Sequence, residues 1–267
     1  MRAIVTAESV TELGAEVRGA VLVAGSHGGR IAGTYAAQAG AHAVILNDAG
    51  VGKDGAGIAA LAELEAIGMA AATAAHSSAR IGDGADMLAR GRISHANAWA
   101  AGCGVAPGMP VRDAAVRLSA APAPHAAPPA YTEGRALLAA DAPEVWGLDS
   151  LGLLRDEDAG RILVIGSHGA LQGGRPESAL PVAARAAVFN DAGIGADGAG
   201  LTRLPVLAAR GMPAATVDCM SARIGDCRSM WATGVISAVN AVAQDAGARR
   251  GQSVPDCVAR CAGRRAG

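Results

Sequence analysis

The chain repeats itself at long range, and no other feature constrains its fold as much. Residues 47–58 read NDAGVGKDGAGI and residues 190–201 read NDAGIGADGAGL, identical at nine of twelve positions. The copies stay in register downstream. SARIGD at Ser78–Asp83 recurs at Ser221–Asp226, and Ile93, Ser94 and Asn97 recur as Ile236, Ser237 and Asn240, all at an offset of 143. Upstream the offset is 141, pairing GSHG at Gly25–Gly28 with GSHG at Gly166–Gly169, and faintly Glu8-Ser9-Val10 with Asp149-Ser150-Leu151. An insertion of two residues near Gly173 and Gly174 reconciles the offsets. A period this long exceeds that of a solenoid repeat. It implies two homologous halves related by a pseudo-two-fold, as in a fused homodimer.

The first copy is expected over residues 1–120 and the second over 142–267. Between them, residues 121–141 read as a linker, opening on APAPHAAPPA, whose four prolines favour an extended, polyproline-like path. Within each copy, apolar runs alternate with helical stretches. AVLVA at Ala20–Ala24 and ILVI at Ile162–Ile165 run into GSHG, and the runs at 42–46 and 186–189 run into NDAG. Ile58, Leu61, Leu64 and Ile67 then recur at helical spacing, closed by Gly68. A third apolar run, GMAAATA or GMPAATV, leads to SARIGD, and Asn97 and Asn240 are placed to start the next helix. Strands without polar alternation, separated by helices, predict α/β halves, each a mainly parallel sheet covered on both faces. Every distinctive motif falls where a strand stops. Open parallel sheets bind ligands outside those carboxyl ends, so the motifs are expected to line one cleft shared by the two copies.

Composition excludes several classes. A net charge of -1 argues against a polyanion partner such as nucleic acid, and 2% aromatic residues leave few platforms for base stacking. No apolar run has the length of a membrane span and the N-terminus lacks a signal layout, so neither a membrane nor export is expected and the cytoplasm is the expected location. Five cysteines, none matched in the other copy, read as reduced structural thiols, with Cys219 and Cys227 the two nearest the motifs. Their spacing and that of the Asp and His residues resemble no known ligand set, so no metal and no cofactor are expected.

The motifs nominate specific chemistry. GSHG presents Ser26-His27 and Ser167-His168 in glycine turns, as nucleophile or substrate donor and as acid or base. The plainer reading is a turn whose Ser and His bond their own backbone. The glycine loop contributes Asn47, Asp48 and Asp54, mirrored by Asn190, Asp191 and Asp197. Its G-x-G-x-x-G spacing has the form of a dinucleotide fingerprint, but Asp54 would face the pyrophosphate and Ala75 stands where an acidic residue is needed. Of 23 basic residues a single one is lysine, Lys53, replaced by Ala196 in the second copy. This asymmetry marks it as a proton carrier or carboxylate holder, against the plainer reading of a solvated loop lysine. SARIGD supplies Ser78 and Arg80, with Ser221 and Arg223, and each Arg can fork onto a substrate carboxylate or pair with the Asp three residues on. His76, matched by Cys219, and His95, matched by Ala238, are further asymmetric positions, though a lone His is more often structural.

These residues together predict a cofactor-independent enzyme acting on a small, anionic metabolite, with hydrolysis of an amide or cyclic amide as first reaction class. Ser26 or Ser167 would attack or orient the carbonyl, Lys53 or a His would manage the proton, and Arg80 and Arg223 would hold a carboxylate. Two alternatives stand beside it. One is a racemase, isomerase or lyase using His27 and His168 on opposite faces of one carbon; the other is a non-catalytic small-molecule binding protein. A homo-oligomer is compatible with either copy arrangement.

Overall fold

The computed structural model describes residues 1–128 and 130–263. Pro129 of the linker and residues 264–267 at the end of the second copy lie outside the described residues. Two compact units emerge. Unit one holds Met1–Val51, Gly55–Thr132 and Gly195–Ala199; unit two holds Gly52–Asp54, Glu133–Ile194 and Gly200–Gly267. Each unit is α/β, built on one mostly parallel sheet flanked by helices, and the two are similar in layout.

In unit one the sheet runs in the order β1 (Ile4–Ala7), β2 (Val21–His27), β3 (Ala43–Asn47), β4 (Ala70–Ala74) and β5 (Ile93–Ala96). The first four strands are parallel and β5 is antiparallel to β4. Every residue of β2, β3 and β4 is buried, as apolar runs without alternation demand. Successive side chains point to opposite faces and feed two cores. Val21, Val23 and Ile45 meet Met87 of α3 (Gly84–Arg90), Ala100 of α4 (Ala98–Gly102), and Val111 and Leu118 of α5 (Val111–Leu118), whereas Leu22, Val44 and Leu46 meet Ala32 and Ala36 of α1 (Arg30–Gln38) and Leu64 of α2 (Ala60–Ala66).

Asn97 shows how a single polar residue locks this layering. It caps α4 by accepting from Ala100 N at 3.0 Å, accepts from Ala71 N at 3.1 Å, and donates to the Met69 carbonyl at 2.8 Å. Asn240 repeats the set in unit two with Ala243, Ala214 and Met212. Because Asn97 is buried, Asn97→Ala would orphan donors and acceptors that water cannot reach. We expect it to lower unfolding free energy by about 3 kcal/mol, read from the urea midpoint at unchanged slope.

In unit two the order is β11 (Ile236–Val239), β10 (Ala214–Val217), β9 (Ala186–Asn190), β8 (Ile162–His168), β7 (Val145–Leu148) and β6 (Arg135–Ala139). Strands β7 to β10 are parallel, while β6 and β11 run antiparallel at the two edges. Residues 135–139, inside the span read as linker, therefore belong to the sheet. Helices α6 (Arg203–Ala209), α7 (Cys227–Thr233), α8 (Ala241–Asp245) and α9 (Val254–Ala262) correspond to α2 to α5. Among the described residues no α-helix corresponds to α1. Two 3-10 turns, Gln172–Gly174 and Pro176–Ser178, stand there instead, because Gly173-Gly174 and Pro176 deny a helix its propensity and its amide donor. The buried Arg203 fastens them, donating to the Ser178 and Ala179 carbonyls beneath a cation–π contact with Phe189 at 5.3 Å. Among the described residues no helix is long and apolar enough to cross a membrane.

Candidate functional site

The repeated motifs lie at the carboxyl ends of the strands: GSHG closes β2 and β8, the glycine loop follows β3 and β9, and SARIGD follows β4 and β10. The glycine loop has an unusual backbone. Ala49, Gly50, Val51, Gly52, Asp54 and Gly55 all have φ between 48° and 76°, and Ala192, Gly193, Ile194, Gly195, Asp197 and Gly198 repeat the pattern. Left-handed φ at β-branched Val51 and Ile194 is strained, at about 1–3 kcal/mol per residue, and persists only where surrounding bonds impose it.

Those bonds come from Asn47 and Asp48. Asn47 Oδ1 accepts from Ala49 N at 2.9 Å and Asn190 Oδ1 from Ala192 N at 2.9 Å, each side chain bending the chain back on itself. Asp48 Oδ1 accepts from Gly50 N at 3.0 Å, from His76 N at 2.9 Å and from His76 Nδ1 at 2.8 Å. The Asp48 side chain is only 4% exposed, against 30% for His76. Burial opposes its ionisation, but the side-chain and backbone bonds from His76 outweigh burial and, with Ser94, hold the carboxyl below its ordinary range. Asp191, its counterpart, accepts from Gly193 N and Cys219 N. With Cys219 in place of His76, burial wins, Asp218 adds repulsion, and the Asp191 carboxyl is pushed up.

The Ser and His residues of GSHG serve the backbone. Ser26 Oγ accepts from Val10 N at 3.0 Å and Ser167 Oγ from Leu151 N at 3.1 Å, tying each strand end to the turn carrying the faint opening match. His27 Nδ1 accepts from Gly29 N at 3.1 Å and His168 Nδ1 from Ala170 N at 3.3 Å. Burial pulls His27 down to about 4, so it is neutral at physiological pH and its proton sits on Nε2. Ser78 and Ser221 are likewise turn staples, donating to the Ala75 and Asp218 carbonyls at 2.8 and 2.7 Å.

Lys53 belongs to unit two. Its ammonium donates to the Ser221 carbonyl at 3.2 Å and to Thr233 Oγ1 at 2.9 Å, closing the carboxyl end of α7, where a cation is favoured. These two bonds, and not the Ser or His of a GSHG turn, take up its side chain. The arginines are engaged as well. Arg80 Nε bonds Asp197 at 2.9 Å, with Arg90 on the same carboxylate, and Arg223 binds Asp54 at 3.0 Å and Asp226 at 3.1 Å. The protein's own carboxylates thus occupy both guanidinium groups expected to hold a substrate carboxylate.

The expected residues therefore divide. Asn47, Asn190, Ser78, Ser221, Ser26 and Ser167 shape the loops, and Lys53, Asp54, Arg80 and Arg223 pin them. Asp48 alone of the expected set in unit one is joined to a partly exposed titratable ring. That ring, His76, lies 28 residues along the chain, and its exchange for Cys219 in the second copy was the visible signal. Comparison with family models, with curated proteins and with solved structures returns no match for this chain.

Proposed function

We propose that this protein is an enzyme whose acid–base centre is the Asp48–His76 pair, and that it hydrolyses an amide or cyclic amide of a small polar metabolite. The observation that carries this reading is the 2.8 Å bond from His76 Nδ1 to a buried carboxylate, with the imidazole itself partly exposed at the strand ends. A carboxylate on Nδ1 keeps the proton there, leaves Nε2 as the basic nitrogen, and stabilises the imidazolium once a proton arrives. His76 would take a proton from water as the water oxygen adds to the carbonyl carbon. It would return that proton to the nitrogen as the C–N bond breaks, giving an acid and an amine. The strained loop around Asp48 agrees with this, since such strain gathers at functional sites.

The test is hydrolysis of a panel of linear amides, cyclic amides and ureas by wild type and His76→Gln. The variant is expected to lose about 10²–10⁴-fold in kcat/KM with its circular dichroism unchanged. Wild-type turnover in His76→Gln would remove the pair from the mechanism. Solvent deuterium entering recovered substrate without hydrolysis would move the reaction to an isomerase.

A further inference from the structure

Unit two carries a second cluster that the proposed hydrolysis does not use. One ligand atom each from Asp191, Asp218 and Cys219 lies within 4.8 Å of the other two. Asp218 and Cys219 directly follow β10, at the positions that hold Ala75 and His76 in unit one. The exchange therefore removes the imidazole partner of a buried carboxylate and adds a second carboxylate and a thiol. Among the described residues no Lys, Arg or His forms an ion pair with Asp191 or Asp218. Cys219 is 4% exposed and Asp191 3%, and the Cys219 thiol bonds Asp191 within the cluster and the Gly193 amide beside it. A buried thiol beside two carboxylates, neither of which is paired with a cation among the described residues, lacks a positive charge.

We propose that Asp191, Asp218 and Cys219 bind a divalent metal ion, best matched by Zn2+, with a fourth position left to water or an added ligand. A thiolate with two carboxylates is a donor set of borderline softness, which suits zinc over the hard cations calcium and magnesium. Zinc distances of about 2.3 Å to sulfur and 2.0 Å to oxygen put tetrahedral ligand atoms about 3.3–3.5 Å apart. Side-chain rotations of about 1 Å close the present spacing to that value. The backbone is already braced: Gly193 N and Cys219 N hold Asp191, Met220 N holds Asp218 at 2.9 Å, and the Cys219 carbonyl accepts from Lys53 N at 2.8 Å. Such outer bonds orient metal ligands. Without an ion, burial and the two neighbouring carboxylates push the Cys219 thiol up to about 12. An ion must displace that proton, so affinity is expected to rise with pH. This site departs from the expectation of a metal-free protein and stands independently of His76.

The experiment titrates the metal-free full-length protein with Zn2+ and with Co2+. One equivalent is expected to bind, the Co2+ complex showing a thiolate-to-cobalt charge-transfer band in the near ultraviolet and Zn2+ raising the thermal midpoint. Cys219→Ser should erase the band and weaken Zn2+ binding by at least about 10²-fold. Asp218→Ala, which restores the unit-one residue, should weaken it by at least about tenfold. Absence of saturable Zn2+ binding by wild type would overturn the proposal whatever the variants do. So would an unchanged band in Cys219→Ser, which would place the metal on other thiols such as Cys257 and Cys261.

Discussion

Asp48→Asn is expected to reduce turnover about 10³-fold while leaving the glycine loop in place. The amide retains an oxygen where Asp48 Oδ1 accepts from Gly50 N and His76 N, so the backbone keeps its anchor. What it removes is the negative charge against which the His76 imidazolium forms. At about 4 Å and an effective dielectric of about 20, that attraction amounts to about 4 kcal/mol, which is about 10³-fold in rate. The loss should appear in kcat, since it concerns an interaction strongest when the ring is protonated. A companion effect on stability has a defined sign. Asp48 has its carboxyl lowered from an ordinary value of 3.8, so its contribution is fully present above that pH and fades as pH falls through the lower folded value. Wild type should therefore exceed Asp48→Asn in urea resistance at pH 7, with the gap closing in strong acid. Equal turnover in the two proteins would leave Asp48 a loop anchor only.

The legible and illegible parts of this structure separate by the range of the interactions involved. Strands β2, β3 and β4 could be read because burial on both faces writes itself as an unbroken apolar run. Asn97 and Asn240 could be read as caps because a cap bonds within its own turn. Strands β5 and β11 are four residues long and half-buried on most positions, so ISHA and ISAV leave no such run. The missing counterpart of α1 follows from Gly173, Gly174 and Pro176, visible as an insertion but not as a changed element. Chemistry was harder, because several nominated groups are claimed by distant partners. Ser26 takes the amide of Val10, sixteen residues away, and Arg80 takes Asp197, 117 residues away. The glycine loops were right as landmarks for the same reason that their roles stayed hidden. Left-handed backbone is local and advertises itself through glycine, whereas the pairing of Asp48 with His76 depends on β3 and β4 lying side by side.

Gly57→Ala should be among the most damaging single substitutions in the chain. Gly57 has no left-handed φ to explain it; its difficulty is space. A methyl group there would overlap the Asp48 carbonyl oxygen and press on the Val51 carbonyl, both backbone atoms without freedom to turn aside. Gly57 N also donates to Val51 O at 2.8 Å, so moving the glycine away breaks the bond that closes the loop. Gly200 repeats the arrangement against the Asp191 carbonyl. Overpacking that only backbone displacement can relieve is expected to destabilise by about 4 kcal/mol or more. Gly55→Ala, two residues earlier, provides the contrast: nothing but Ile58 Cγ1 approaches its would-be methyl, at 4.0 Å, and its cost is the left-handed φ of 67°, about 1 kcal/mol. Thermal midpoints of the two variants should thus fall by clearly different amounts. In Gly57→Ala the displaced Asp48 should also carry His76 out of line, so activity should drop even at temperatures where the variant remains folded. A Gly57→Ala protein as stable and as active as Gly55→Ala would show that the loop can yield at Asp48, and with it that the acid–base pair is not rigidly held.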